Sequence, residues 1–306
     1  MNAVLFPGQG SQYVGMGLDF YKKFDSVKKT FEIVDKTLGF SLTQIILEGP
    51  EEKLKSTKNT QPAIMTLGVC IFNVLNHEFN YNLNNAKFFA GHSLGEYTAL
   101  VCSGSLTLER AAYLLHERGK SMQEAVPKDK GAMMAILGMT IDEVENELNL
   151  LPKESICEIA NDNSKGQIVV SGEKRVIEVL HENLRKIKKK GIVLPVSAPF
   201  HSSLMKEAAI AMKDKIESTV FLKPKPSIIS NVTAKEETDE NRIKPLLIDQ
   251  ITSRVRWRES VDYMIEQGAN NFLEIGPGKV LSGLVKKINR DVKILNINSI
   301  EDIKND

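Results

Sequence analysis

The chain is poor in the residues that build metal centres and disulfide frameworks. Three cysteines, Cys70, Cys102 and Cys157, stand in 306 residues without CxxC spacing. Few and odd in number, they exclude a disulfide scaffold and are expected as reduced, buried, small apolar side chains in a cytoplasmic protein. The five histidines are scattered and form no HExxH-type pair, so no metal site is expected. Charge of one sign is missing too: the formal net charge is +1, which offers no global field for nucleic acid. The longest nearly apolar run, AIMTLGVCIFNVL at 63–75, is short for a bilayer span and fits a buried helix, so no membrane partner is expected. The opening MNAVLFPGQG has no basic stretch ahead of its apolar residues and is not expected to be a signal peptide. What remains, with 42% hydrophobic and 26% charged residues, is the composition of a soluble α/β enzyme with room for a sizeable core.

The hydrophobic pattern divides the chain. AVLF at 3–6 is a short apolar strand running into the loop PGQGSQ, and NTQPAI places Pro62 in the first turn of the helix carrying the apolar run. AKFFA at 86–90 is a strand and EYTALVCSG a helix; between them lies AGHSLGE, a Gly-x-Ser-x-Gly nucleophile elbow in its required strand–turn–helix context. From 131 the rhythm changes. GAMMAILGM is a strand, Thr140 to Glu143 a capping box, SICEIA and QIVVSG strands joined by the turn-rich NDNSKG, KRVIEVLHENLRKIKKKG a helix ending at Gly191, and IVLPVS a strand. The expected fold is therefore α/β: a larger α/β-hydrolase-like domain of residues 1–129 and 198–306, with a parallel sheet and the elbow, plus an inserted ferredoxin-like β-α-β-β-α-β subdomain at 130–197. An inserted domain makes a cleft at its seam, where ligands bind.

Three side chains could do chemistry there. Ser93 sits on the elbow at a helix N-terminus, where the N–H of Leu94 is a natural oxyanion donor; the alternative is a small residue packed at a tight turn. A serine needs a base. His92 points away from its neighbour on the elbow, and His77, His116 and His181 lie in charged helical surroundings, which leaves His201 in SAPFHSS, either as the base or as a structural histidine. No acid between 93 and 201 stands in a loop suited to complete a triad, so a neutral carbonyl could orient the imidazole instead. Arg118 falls between Leu115 and Met122 on the apolar stripe of the helix beginning at Thr107. A buried arginine needs a partner: a structural ion pair, or a substrate carboxylate gripped by its guanidinium fork. The loop PGQGSQ lacks the third glycine of a dinucleotide fingerprint but could present the N–H of Gln9 as a second oxyanion donor. RKIKKKG is either a solvated helix end or a basic patch for an acidic partner.

Ser93, Arg118 and His201 together, with FPGQGSQ at the start, resemble the malonyl-CoA:acyl carrier protein transacylase family. LFPGQGSQYVGMG, NTQPAI, GHSLGEYTAL, ANDNSKGQIVVSG, VSAPFHSSLM, ISNVTA and FLEIGPGKVLSGLVKKI follow the family's blocks in order over nearly the whole chain. The resemblance implies ping-pong transfer of a malonyl group from malonyl-CoA to the phosphopantetheine thiol of acyl carrier protein, in fatty acid or polyketide synthesis, with no permanently bound cofactor. It implies Ser93 as nucleophile, His201 as base, the N–H groups of Gln9 and Leu94 as oxyanion hole, and Arg118 on the malonyl carboxylate. It further implies the backbone carbonyl of Gln250 as the orienter of His201, an acyl pocket at Met122 and Phe200, and a monomer. Leu94 and Phe200 match malonyl-selecting members. The rival readings are a serine hydrolase on the same elbow and a non-catalytic docking module.

Overall fold

The computed structural model describes residues 2–127, 129–196 and 198–304. The apolar runs form strands β1 (Ala3–Phe6) and β2 (Phe88–Gly91), buried at every position. Strands without polar alternation belong inside a parallel sheet covered on both faces. They lie at its centre: counting also β3 (Gly131–Leu137), β4 (Cys157–Ser164), β5 (Gln167–Glu173), β6 (Lys190–Val193), β7 (Ser227–Ile229), β8 (Glu236–Glu237), β9 (Asn271–Ile275) and β10 (Lys293–Ile297), the larger sheet runs β10-β9-β1-β2-β7-β8. Only the β7–β8 pair is antiparallel among its described strands. Helix Leu94–Cys102 follows β2, and the long helices Thr57–Glu78 and Leu108–Glu124 pack against each other beside it.

The remaining strands make a second, antiparallel sheet in the order β4-β5-β3-β6. Helix Ile141–Asn149 joins β3 to β4 and helix Lys174–Lys186 joins β5 to β6. Met134, Ile136, Val144, Val170, Ile177 and Leu180 form a core of their own between this sheet and its helices. The capping box at its first helix is present: Thr140 Oγ1 accepts from the Glu143 N–H and Glu143 returns a bond to the Thr140 N–H. Strand β4 also joins the smaller sheet to the segment that precedes helix Trp257–Glu266. The Asp162 N–H donates to the Val255 carbonyl at 3.0 Å, and the Val255 N–H to that of Ala160 at 2.8 Å.

Several elements depart from the sequence expectations. The segment NDNSKG is not all turn: Asn161, Asp162, Asn163 and Ser164 complete β4 and are buried, because they pair with β5 on one side and meet the Val255 segment on the other. The helix expected to reach Gly191 stops at Lys186, and Gly191 belongs to β6, where a Cβ would come within 2.6 Å of the Met134 sulfur. A helix continuing through Lys188, Lys189 and Lys190 gains little, whereas Lys190 to Val193 gain a ladder with β3. β6 ends at Val193, and Ser197, the last residue of the expected strand, lies outside the described residues. Pro62 is not in a first turn; it stands inside helix Thr57–Glu78. Its ring leaves the Lys58 carbonyl without an intrahelical donor, and His116 Nδ1 takes that carbonyl at 3.0 Å. Cys70 and Cys102 are buried, but Cys157 is only half-buried; all three are free thiols.

Candidate active site

The elbow is made possible by two glycines. A Cβ on Gly91 would fall 1.9 Å from the backbone of Gly95, and one on Gly95 would fall 2.2 Å from the Phe6 carbonyl. The turn therefore lies flush against the end of β1, and only glycines fit where the backbones touch. Ser93 is held at φ 53°, ψ −107°, a conformation rare outside glycine. Asn231, just beyond β7, holds it there: its Oδ1 accepts from the Ser93 N–H at 2.7 Å and its Nδ2 donates to the Gly91 carbonyl at 2.7 Å.

Ser93 Oγ lies 2.8 Å from His201 Nε2, across 108 residues of chain. On the far side of the ring, His201 Nδ1 lies 2.8 Å from the backbone carbonyl of Gln250. A carbonyl can only accept, so Nδ1 carries the proton and Nε2 presents its lone pair to the serine. Burial and the charge of Arg118 push the His201 pKa down to about 3, which keeps the ring neutral and able to accept a proton. His201 also adopts a positive φ of 57°. His92, adjacent to Ser93, points elsewhere: its Nε2 meets Asn163 Oδ1 at 2.9 Å and its ring packs against Trp257.

Arg118 is 1% exposed. Its guanidinium donates to Gln61 Oε1 at 2.7 Å, to Gln250 Oε1 at 2.8 Å and to Ser93 Oγ at 3.1 Å, and lies over the Tyr97 ring at 5.8 Å. Among the described residues no carboxylate bonds it directly, and its Nε–H has no partner. Burial lowers its pKa. A cleft of about 460 Å³ opens over Ser93 and Arg118. Gln9, Leu94, Met122 and Phe200 line it, together with Met133 and Leu194 from the smaller sheet's side. Leu94 starts its helix, so its N–H has no intrahelical acceptor. Gln250 does not line the cleft; its side chain bonds Arg118 and the Ser93 carbonyl, and its backbone carbonyl bonds His201.

Sequence reasoning gave no role to Asn231, Gln61 or Glu96. Glu96 had the same signal as Arg118, a lone charge inside an apolar helix, LGEYTALVC. It is 3% exposed, and burial raises its pKa to about 7 against the lowering effects of Asn231, Gln250 and Arg118. Among the described residues no group of three or more His, Cys, Asp or Glu could hold a metal ion, and no helix is long and apolar enough to cross a membrane.

An elbow serine on a parallel sheet, bonded to a neutral histidine and to a buried arginine, defines a class: an α/β protein with a serine–histidine pair beside a buried cation. The acyl transferase domain family matches residues 4–302. The chain is 42% identical over 304 residues to the malonyl CoA-acyl carrier protein transacylase of Bacillus subtilis, covering 99% of this chain and 95% of that protein. The crystal structure of an acyl-carrier-protein S-malonyltransferase from Bartonella henselae superposes with a TM-score of 0.96 at 42% identity, covering 100% of this chain and 98% of that one. A malonyl-transacylase solved in complex with a type II PKS acyl-carrier protein superposes at 0.95 with 37% identity, covering 99% and 97%. The chain belongs to the acyl transferase domain family and, within it, to the malonyl CoA-acyl carrier protein transacylases.

Proposed function

We infer that the chain transfers a malonyl group from malonyl-CoA to the phosphopantetheine thiol of an acyl carrier protein, through a malonyl ester on Ser93. One observation carries this reading: Ser93 Oγ is bonded at once by a neutral histidine at 2.8 Å and by a buried arginine at 3.1 Å. The histidine supplies a base, and the arginine supplies a partner for a carboxylate attached a short distance from the reacting carbonyl. An ordinary esterase needs only the first.

Ser93 Oγ attacks the thioester carbonyl while His201 Nε2 takes the hydroxyl proton. The N–H groups of Leu94 and Gln9 receive the oxyanion. As the tetrahedral adduct collapses, the C–S bond breaks and His201 returns the proton to the CoA sulfur. The malonyl ester remains with its carboxylate on Arg118, in an acyl pocket bounded by Met122 and Phe200. The carrier thiol then gives its proton to His201, attacks the ester and releases Ser93 with its proton restored. The Gln250 carbonyl orients the imidazole without an acid, so the imidazolium is stabilised less than in a triad with a carboxylate.

In this reading the larger sheet with residues 1–129 and 198–306 is an α/β-hydrolase-like domain, and 130–197 an inserted ferredoxin-like subdomain that forms one wall of the cleft. The protein works as a cytoplasmic monomer, needs no bound cofactor and supplies malonyl-acyl carrier protein for fatty acid synthesis. The rival hydrolase is separated by product analysis. The transferase reading expects malonyl to appear on the carrier protein with little free malonate; rapid release of malonate in the absence of a thiol acceptor would favour the hydrolase.

A further inference from the structure

Arg118 buries a full positive charge, yet among the described residues none of its hydrogen bonds goes to a carboxylate. The nearest compensating charge lies one carboxamide away. Gln250 Oε1 accepts from Arg118 at 2.8 Å, and Gln250 Nε2 donates to Glu96 Oε2 at 2.7 Å. The same Nε2 donates to the Ser93 carbonyl at 3.1 Å, and Glu96 Oε2 accepts from the Asn231 N–H at 3.1 Å. Glu96 thus ties together the residue that holds the elbow and the residue that orients the base. We propose that Glu96 is the counter-charge of Arg118, coupled through the Gln250 carboxamide, and that it takes up a proton when a malonyl carboxylate arrives on Arg118. This inference rests on the malonyl-transfer reading above.

The argument is one of charge balance in a buried site. Before loading, one cation and one carboxylate share the Gln250 amide. Loading brings a second carboxylate to the same guanidinium, leaving two anions around one cation where water cannot screen them. Relief comes from protonating the weaker-held anion, which is Glu96, whose bond to Arg118 is indirect. Its starting position favours this, since burial already places its pKa at about 7. The facing groups are few. On the neighbouring Leu108–Glu124 helix the charge acting on Glu96 is Arg118; Tyr97 follows it on its own helix, and His201 lies neutral beyond Gln250. Helix Thr57–Glu78 and strands β1, β2 and β7 also pack on this helix, and among the described residues Arg118 is the charge that lowers the Glu96 pKa. The guanidinium can thereby be held in place in the empty enzyme without a direct carboxylate blocking the fork that the substrate must occupy.

The proton comes from solvent, because the serine proton leaves on CoA. The test mixes enzyme with stoichiometric malonyl-CoA in weak buffer at pH 7, below the pKa of the released thiol. Proton uptake is read by an indicator dye and the adduct by intact mass in the same sample. The expected result is uptake of about half a proton per malonyl group at pH 7, shrinking to about a tenth at pH 6 and vanishing by about pH 5, where Glu96 is already protonated before loading. It should be abolished in Glu96→Gln. Difference infrared spectra of the wild type should gain a protonated-carboxyl band on loading, a signature that does not depend on the variant folding. A full adduct without uptake or without that band, or uptake undiminished in a folded Glu96→Gln, overturns the coupling and leaves malonyl transfer standing. Absence of the adduct overturns both.

Discussion

At the scale of single residues, the site is a buried charge placed beside the elbow serine: Arg118, 1% exposed, donates to Ser93 Oγ at 3.1 Å. In the proposed function, removal of Arg118 is expected to separate substrates. Arg118→Ala should lower kcat/KM for malonyl-CoA by about a hundredfold or more, since two charge-assisted hydrogen bonds to a carboxylate are lost. Acetyl transfer, which presents no carboxylate, should fall much less; equal loss for both donors in steady-state assays would make the arginine purely structural. His201 gives a stability prediction with a definite sign. Its pKa is held near 3 in the folded chain, below the ordinary histidine value of 6.5. The unfolded chain therefore binds more protons between those values, and stability falls as pH drops through that window, by about 1.4 kcal/mol per pH unit from this group. Urea titrations between pH 4 and 6.5 should show His201→Gln losing less stability on acidification than the wild type. A parallel decline in both would mean that the ring is not buried neutral.

At the scale of elements, the elbow is the least tolerant piece. Gly95→Ala would drive a methyl group into the Phe6 carbonyl, and the backbone would have to move away from β1. A loss of about 3 kcal/mol in stability is expected, with activity lost at the same time; a wild-type melting temperature would contradict the close approach. Thr140→Ala, far from the site, should cost only about 1 kcal/mol through its capping box and leave turnover unchanged. The elements were legible where pattern and local chemistry agreed. Ser93 was announced by its glycines and flanking apolar runs, Arg118 by its place on a helical stripe. They were illegible where a distant partner decided. The polar run Asn161 to Ser164 becomes strand because Val255 and β5 take its backbone bonds, and Lys190 and Gly191 join a ladder that local propensity does not reveal. Gln250 orients His201 through its main chain, so no side-chain pattern marks it, and its place was drawn from family likeness alone. Asn231 is invisible for a related reason: a small polar residue after a short strand looks like any loop until the elbow is built against it.

At the scale of the whole molecule, the two sheets meet where the cleft lies, and an ion pair secures the junction. Asp162 of β4 is 1% exposed and accepts three hydrogen bonds from Arg258, Nη2 to Oδ2 at 2.7 Å, Nε to Oδ2 at 3.0 Å and Nε to Oδ1 at 3.2 Å. Arg258→Ala strands that carboxylate, so a stability loss of about 3 kcal/mol is expected. KM should rise more than kcat falls, because the cleft wall shifts while Ser93 and His201 stay with the larger sheet. The central claim is that this cleft holds a malonyl group on Ser93 between two thiols. The direct measurement is intact mass after mixing with malonyl-CoA, followed by peptide mapping and then by addition of holo acyl carrier protein. The expected result is one malonyl group on Ser93 that disappears when the carrier thiol is added and reappears on the carrier. A folded protein that gains no mass, or one whose adduct sits on another residue, would contradict it.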